Sequence, residues 1–239
     1  MSTRKYLDER RKKDQKRRSL MLGLIIGGSL LVISAIALAI INVTRVSISP
    51  RQIIKPEIST SIQVDRNTMG DPTAPVIIEE FSDFGCGHCA SFALDTKKLL
   101  EEEYVKDGKV FLVFHSVGSL LGSSATVLAA EAAYCAGDQD AFWPYHDLLF
   151  ANQQDLFQNR AGNISPSLST FAEVLDLDVD QFDSCLSTGK FQTQVSQDLV
   201  LAKASNIDGT PSFLVNGVFL RGNQPIENFR EIIEEELAK

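Results

Sequence analysis

Two cysteines three positions apart, Cys86 and Cys89, enclose Gly87 and His88. On the first turn of a helix that spacing lets the two sulfurs close a small disulfide ring. A helix N-terminus presents unpaired N–H groups and the positive end of the macrodipole, both of which favour an anion. Cys86 is therefore expected to be the exposed nucleophile with a lowered thiolate pKa, and Cys89 its shielded partner. The His88 imidazole between them can hydrogen-bond the thiolate, and when cationic it adds charge stabilisation. A stabilised thiolate makes the disulfide more oxidising. The chemistry is thiol–disulfide exchange, and it needs no cofactor beyond the Cys86–Cys89 couple. A zinc site would want a second cysteine pair or histidines at ligand spacing; no second Cys-x-x-Cys is present, and no metal is expected. Covalent haem attachment requires histidine directly after the second cysteine, where Ala90 stands. A purely structural bridge stays open.

The flanking patterns supply elements to hold this pair. Val76-Ile77-Ile78, running on to Phe84, reads as a buried strand between Pro75 and Gly85. A helix is predicted from near Cys86 through Lys97, Leu100 and Glu103, and a second buried strand from Val110 to Phe114. Residues 122–206 show no strand pattern. They read as helices over Ser123–Ala136, Gln139–Asn152, Leu168–Leu175, Val179–Ser187 and Phe191–Ser205. Phe213-Leu214-Val215 and Val218-Phe219-Leu220 flank Asn216-Gly217, a hairpin signature. An acidic helix, Ile226 to Leu237, closes the chain. The order predicts one α/β domain with an all-helical subdomain inserted at about 122–206.

Charge is unevenly spread. The chain is −8 in total, yet residues 1–18 carry nine Lys/Arg against three acidic residues, which leaves −14 for the rest. That basic tail abuts Ser19–Val43, a stretch without a charged residue. As a helix it spans roughly 37 Å, enough to cross a ~30 Å hydrocarbon core with tilt. Adjacency to an apolar run favours a membrane over nucleic acid as the tail's partner. The run is longer than the apolar region of a cleaved signal peptide, so an uncleaved anchor is expected. The positive-inside rule then puts residues 1–18 in the cytoplasm and the rest outside, in a single-pass arrangement where disulfides persist. Residues 44–72, with Pro50, Pro56 and many Ser, Thr and Asn, read as a tether, and 73–239 as the catalytic domain.

The chain holds only four cysteines, so the fold must rest on a hydrophobic core. Cys135 and Cys185 fall on two helices of the insertion. In an oxidising compartment a structural disulfide between them is expected, constraining a long loop and worth roughly 4 kcal/mol in the chain-entropy model. Two buried free thiols are the alternative. Trp143, Tyr145 and Phe150 read as core packing, and His115 and His146 as partly buried polar residues without a catalytic role.

Three stretches, taken in order, carry a family likeness. The first is Gly70-Asp71-Pro72-Thr73-Ala74-Pro75-Val76 followed by Glu80-Phe81-Ser82-Asp83-Phe84-Gly85-Cys86-Gly87-His88-Cys89. The second is Ala132-Ala133-Tyr134-Cys135-Ala136 with Gln139 and Phe142-Trp143-Pro144-Tyr145-His146-Asp147-Leu148-Leu149-Phe150. The third is Gly209-Thr210-Pro211-Ser212-Phe213 with Asn216-Gly217. The chain resembles the DsbA-like thiol oxidases, in the membrane-tethered branch of the thioredoxin superfamily. The resemblance implies a thioredoxin fold with an inserted helical subdomain. It makes Thr210-Pro211 the cis-proline loop that faces the cysteines and pairs with an extended substrate segment. It makes Glu80 the buried acid beneath Cys89, exchanging a proton with it as the disulfide opens; strand alternation turns Glu79 the other way. It implies reduced exported proteins as substrates and a quinone-linked membrane oxidase as the reoxidising partner. Gly-His between the cysteines, as in protein disulfide isomerases, keeps an isomerase or reductase open beside the disulfide donor. A non-catalytic thioredoxin-like binding module is a third reading.

Overall fold

Val76–Ser82 forms β3, the central strand of the sheet, and its burial alternates from Val76 to Glu80, after which Phe81 is covered on the second face as well. Val76, Ile78, Glu80 and Ser82 turn to a fully covered face, whereas Ile77 is exposed and Glu79 half-buried on the other. The computed structural model describes residues 21, 53–56, 62–121, 123–157 and 163–239. The basic tail and, apart from Met21, the apolar run 19–43 lie outside the described residues. No helix among the described residues is long and apolar enough to cross a membrane. Everything below concerns the unit that begins at Val46.

The six-stranded sheet has the order β1-β2-β4-β3-β5-β6. Its strands are β1 (Val64–Asp65), β2 (Thr68–Met69), β3, β4 (Val110–Ser116), β5 (Ser212–Val215) and β6 (Val218–Arg221). β3 runs parallel to β4 from Val76↔Val110 to Ser82↔Ser116, and antiparallel to β5 with Glu80 opposite Phe213. The Asn216-Gly217 turn joins β5 to β6, with both residues at positive φ, as the tight hairpin requires.

The helix that follows β3 is composite. α1 (Gly87–Ser91) passes through a π-helical turn, Phe92–Thr96, into α2 (Lys97–Leu100) and a second π-helical turn, Glu101–Val105. Phe92, in the first π turn, packs on Phe213 of β5 with ring centroids 4.5 Å apart, and both meet Phe229. Phe229 and Ile233 are the buried stripe of the last helix, α9 (Ile226–Leu237), so that helix shares one side of the sheet with α1.

The insertion consists of α3 (Ser124–Gly137), α4 (Phe142–Ala151), α5 (Gln153–Phe157), α6 (Ser165–Val174), α7 (Val179–Ser187) and α8 (Gln192–Ala204). In α3 the buried Ala129, Ala130, Ala132 and Ala133 let neighbouring helices approach closely. α4 starts at Phe142 rather than at 139, because Asp140 adopts φ +58° and breaks the helical path. α6 starts at Ser165, ahead of the expected Leu168; Pro166 lies in its first turn, where a missing N–H costs nothing.

The tether assignment for 44–72 needs correcting at its C-terminal end. Thr68 and Met69 pair with Val113 and Leu112, so the sheet begins at Val64 and the domain starts ahead of 73. The strands are only two residues long, too short for an alternation pattern to register. Further upstream, Ile54 is clipped to the insertion: its N–H donates to Asn152 Oδ1 at 2.8 Å and its carbonyl accepts from Asn152 Nδ2 at 2.9 Å.

Candidate active site

β3 delivers the chain into a turn tied by Asp83. The Gly85 N–H donates to Asp83 Oδ1 at 2.8 Å and the Cys86 N–H to the Asp83 carbonyl at 2.9 Å. Cys86 then sits at the N-cap of α1 in extended backbone, and Cys89 falls one turn inside. Both are free thiols, Cys86 half-buried and Cys89 fully buried. The Cys86 thiol donates to the Thr210 carbonyl at 3.4 Å. Thr210-Pro211 is a cis peptide leading into β5, so a loop 124 residues away closes over the redox pair.

The two sulfurs have opposite acidities. A hydrogen bond from the Cys89 thiol, helped by the Thr210 side chain and by the backbone N–H groups of Cys89 and His88, pulls the Cys86 pKa down to about 5 against the opposing effect of burial. Burial, followed by the neighbouring Cys86, pushes Cys89 well above the ordinary thiol value. The His88 imidazole is exposed. Its residue acts on Cys86 through the backbone N–H.

Glu80 is fully buried on the face of β3 beneath this helix, and neither carboxylate oxygen makes a hydrogen bond of ordinary geometry. Desolvation raises its pKa to about 8; Ser82 and the Lys97 charge temper the rise and Asp147 adds to it. Glu80 is therefore protonated at neutral pH and able to donate. The Ser82 hydroxyl acts on both Glu80 and Cys89, through contacts looser than ordinary hydrogen bonds.

Two of these neighbours escape sequence reasoning. Ser82 carries one faint signal: it lies two residues beyond Glu80 on the same strand face. Lys97 is buried with its ammonium 2.5 Å from Glu101 Oε1 and 3.1 Å from Asp147 Oδ1. Asp147 Oδ1 in turn lies 2.7 Å from His146 Nδ1. The i,i+4 spacing of Lys97 and Glu101 resembles any surface helix pair, and nothing in the order of residues says that it is buried. His146 is deeper than expected, its ring edge-on to Phe84, Phe114 and Phe150. His115 lies on the opposite sheet face, 3.3 Å from Asp198 and 3.4 Å from Glu79. Among the described residues no group of acidic, histidine and cysteine side chains is arranged to hold a metal ion. Cys135 and Cys185 are bonded to each other across 50 residues, with Cα atoms 5.9 Å apart, tying α3 to α7.

The thioredoxin family model matches residues 63–235. The Na(+)/H(+) antiporter NhaA 1 of Salinispora arenicola is 33% identical over 177 residues, covering 72% of this chain and 25% of the antiporter. The chain thus spans about a quarter of that relative's length. The probable disulfide bond formation protein D of Bacillus cereus is 31% identical over 175 residues, covering 73% of this chain and 80% of that protein. Among solved structures, oxidised BdbD from Bacillus subtilis superposes with a TM-score of 0.66 at 26% identity, covering 77% of this chain and all of BdbD.

Proposed function

Because this chain belongs to the thioredoxin family, as a DsbA-like oxidoreductase, we propose that it introduces disulfides into exported proteins through Cys86 and Cys89. The observation that carries the proposal is the split in acidity: Cys86 is pulled down to about 5 while its buried partner is pushed up. A couple built this way releases Cys86 readily as a thiolate and keeps Cys89 out of reach of substrate.

In the first step a substrate thiolate attacks Cys86 Sγ of the disulfide form. The Cys86–Cys89 bond breaks, a mixed disulfide forms, and Cys89 leaves as a thiolate that takes the proton held by Glu80. A second substrate thiolate then attacks the substrate sulfur of the mixed disulfide and expels Cys86. The substrate loses two electrons and two protons in becoming a disulfide; the protein gains the electrons as a Cys86 thiolate and a Cys89 thiol, one proton restores Glu80 and the other goes to water. Thr210 and Pro211 bind the extended substrate segment beside Cys86. His88, exposed next to the sulfurs, supplies a polar ring to the mixed disulfide. The domain works outside the cell membrane, held by a single N-terminal span with residues 1–18 in the cytoplasm, and a quinone-linked membrane oxidase takes the electrons back from the dithiol.

The test is oxidation of a reduced, unfolded protein by the oxidised full chain. The parent is expected to form substrate disulfides, whereas Cys86→Ser is expected to form none; an active Cys86→Ser variant sinks the proposal. The reduction potential of the couple decides direction, near −120 mV for a donor and near −270 mV for a reductase.

A further inference from the structure

The turn that presents Cys86 is gripped from the helical insertion as well as from its own strand. Gln153 is the first residue of α5. Its Nε2 donates to the Phe84 carbonyl at 2.6 Å and to the Cys86 carbonyl at 2.9 Å, so one amide nitrogen spends both protons on the carbonyls of the two residues that flank Gly85. From α3, Thr126 presses on the same turn: a Cβ built on Gly85 would come within 2.5 Å of Thr126 Cγ2. Thr126 is itself held, its one hydroxyl proton shared between the carbonyls of Gly118 and Ser123.

We propose that Gln153 is a positioning residue that sets the acidity of Cys86, with Thr126 as its buttress. The Cys86 thiolate is stabilised by the Cys89 thiol and, beside the Thr210 side chain, by the backbone N–H groups of Cys89 and His88, and every one of these except Thr210 is aimed at the sulfur by the first turn of α1. That aim is fixed by where the chain enters the helix. The Cys86 carbonyl already accepts the first intrahelical bond, from Ala90 at 3.1 Å, and the Gln153 amide occupies its second lone pair. The Phe84 carbonyl is locked by the other proton, so the approach to the N-cap is pinned at both ends. Without the amide donor the turn relaxes, and the helix N–H groups lose alignment with the sulfur. The insertion thus tunes the nucleophile without touching it.

The inference rests on Cys86 being the sulfur that substrate attacks and that leaves as a thiolate, and the experiment separates the two. The rate of iodoacetamide alkylation at Cys86 is followed against pH in the reduced full chain, by peptide mass. The variants are Gln153→Glu, which keeps the shape and loses the donor, Gln153→Met, which keeps the bulk, and Thr126→Ser, which keeps the hydroxyl and deletes the methyl on Gly85. Thermal melts are run alongside. Both Gln153 variants are expected to raise the Cys86 midpoint by about one unit, a tenfold change in the acid equilibrium, and Thr126→Ser to raise it by less. An unchanged midpoint in both Gln153 variants overturns the positioning role, whatever happens to the melts. A parent midpoint at the ordinary thiol value overturns the functional reading instead.

Discussion

Glu80 lies between two fully buried aromatic register partners, Phe114 on β4 and Phe213 on β5. That setting strips the carboxyl of water, and desolvation raises its pKa from 4.5 to about 8. Between those two values the folded protein holds a proton that the unfolded chain has released. Stability therefore falls as pH rises through this window, by about 1.4 kcal/mol per unit, and the slope disappears above pH 8. Glu80→Gln removes the slope. Relative to the parent, the variant is expected to gain about 3 kcal/mol between pH 4.5 and 7 in urea unfolding. Parallel curves for the two proteins would falsify the assignment. Activity moves the other way: without an acid to protonate Cys89, substrate oxidation at pH 7 slows, on the order of ten- to a hundredfold.

Cys86 should titrate far below an ordinary thiol. Its alkylation rate is expected to be flat above about pH 6 and to fall with a midpoint near 5. The pKa is lowered from 9.0, so the thiolate's contribution to the reduced fold is full only above about pH 9 and is lost progressively as pH falls through this window to about 5. Thr210→Val deletes a hydroxyl that stabilises the thiolate but leaves the backbone carbonyl in place. The midpoint should rise by about one unit, the worth of one hydrogen bond to a charged group. A Thr210→Val midpoint equal to the parent's assigns the effect to the Cys89 thiol and the helix N–H groups.

How much of this was legible beforehand depends on whether a residue acts through its neighbours in sequence or across the fold. The Cys86–Cys89 spacing, the strand-to-helix junction and the Asn216-Gly217 hairpin are local, and the sequence pattern placed them. Val179–Ser187 and Ile226–Leu237 carry bounds identical to those expected, because both are amphipathic and their ends are marked by Asp178 and Pro225. Glu80 and Thr210-Pro211 emerged from order along the chain together with family likeness. Lys97 and Gln153 did not, since each owes its role to a partner brought close only by packing, and Ser82 offers only its place two residues beyond Glu80. Gln153 reaches back 67 residues to Cys86, and Lys97 forward 50 to Asp147. The hairpin of β1 and β2 was hidden by its own shortness.

The bridge between Cys135 and Cys185 closes a 50-residue loop inside the insertion. A Cys135→Ser/Cys185→Ser double variant is expected to lose about 4 kcal/mol in denaturant unfolding. Oxidation of substrate at low temperature should survive, because neither cysteine lies in the redox turn. Loss of activity in a variant that still melts cooperatively would instead place the bridge in the catalytic cycle.

Lys97 supplies the final prediction. Its ammonium is fully buried, and Glu101 and Asp147 hold its pKa above the ordinary lysine value even though burial opposes this. The ring of Trp143 adds a face 5.2 Å from the charge. Lys97→Met keeps the length of the side chain but leaves two carboxylates buried without their cation. Breaking a buried pair from one side costs about 3–5 kcal/mol, whereas replacing all members with apolar groups is often close to neutral. The single variant should therefore be strongly destabilised in urea, and Lys97→Met/Glu101→Leu/Asp147→Leu should recover most of that loss. Lys97 also lowers the Glu80 pKa, so in the single variant the pH-dependent loss of stability tied to Glu80 should extend further into the alkaline range. A single variant as stable as the parent would mean that the three charges are solvated, and that Glu80 owes nothing to them.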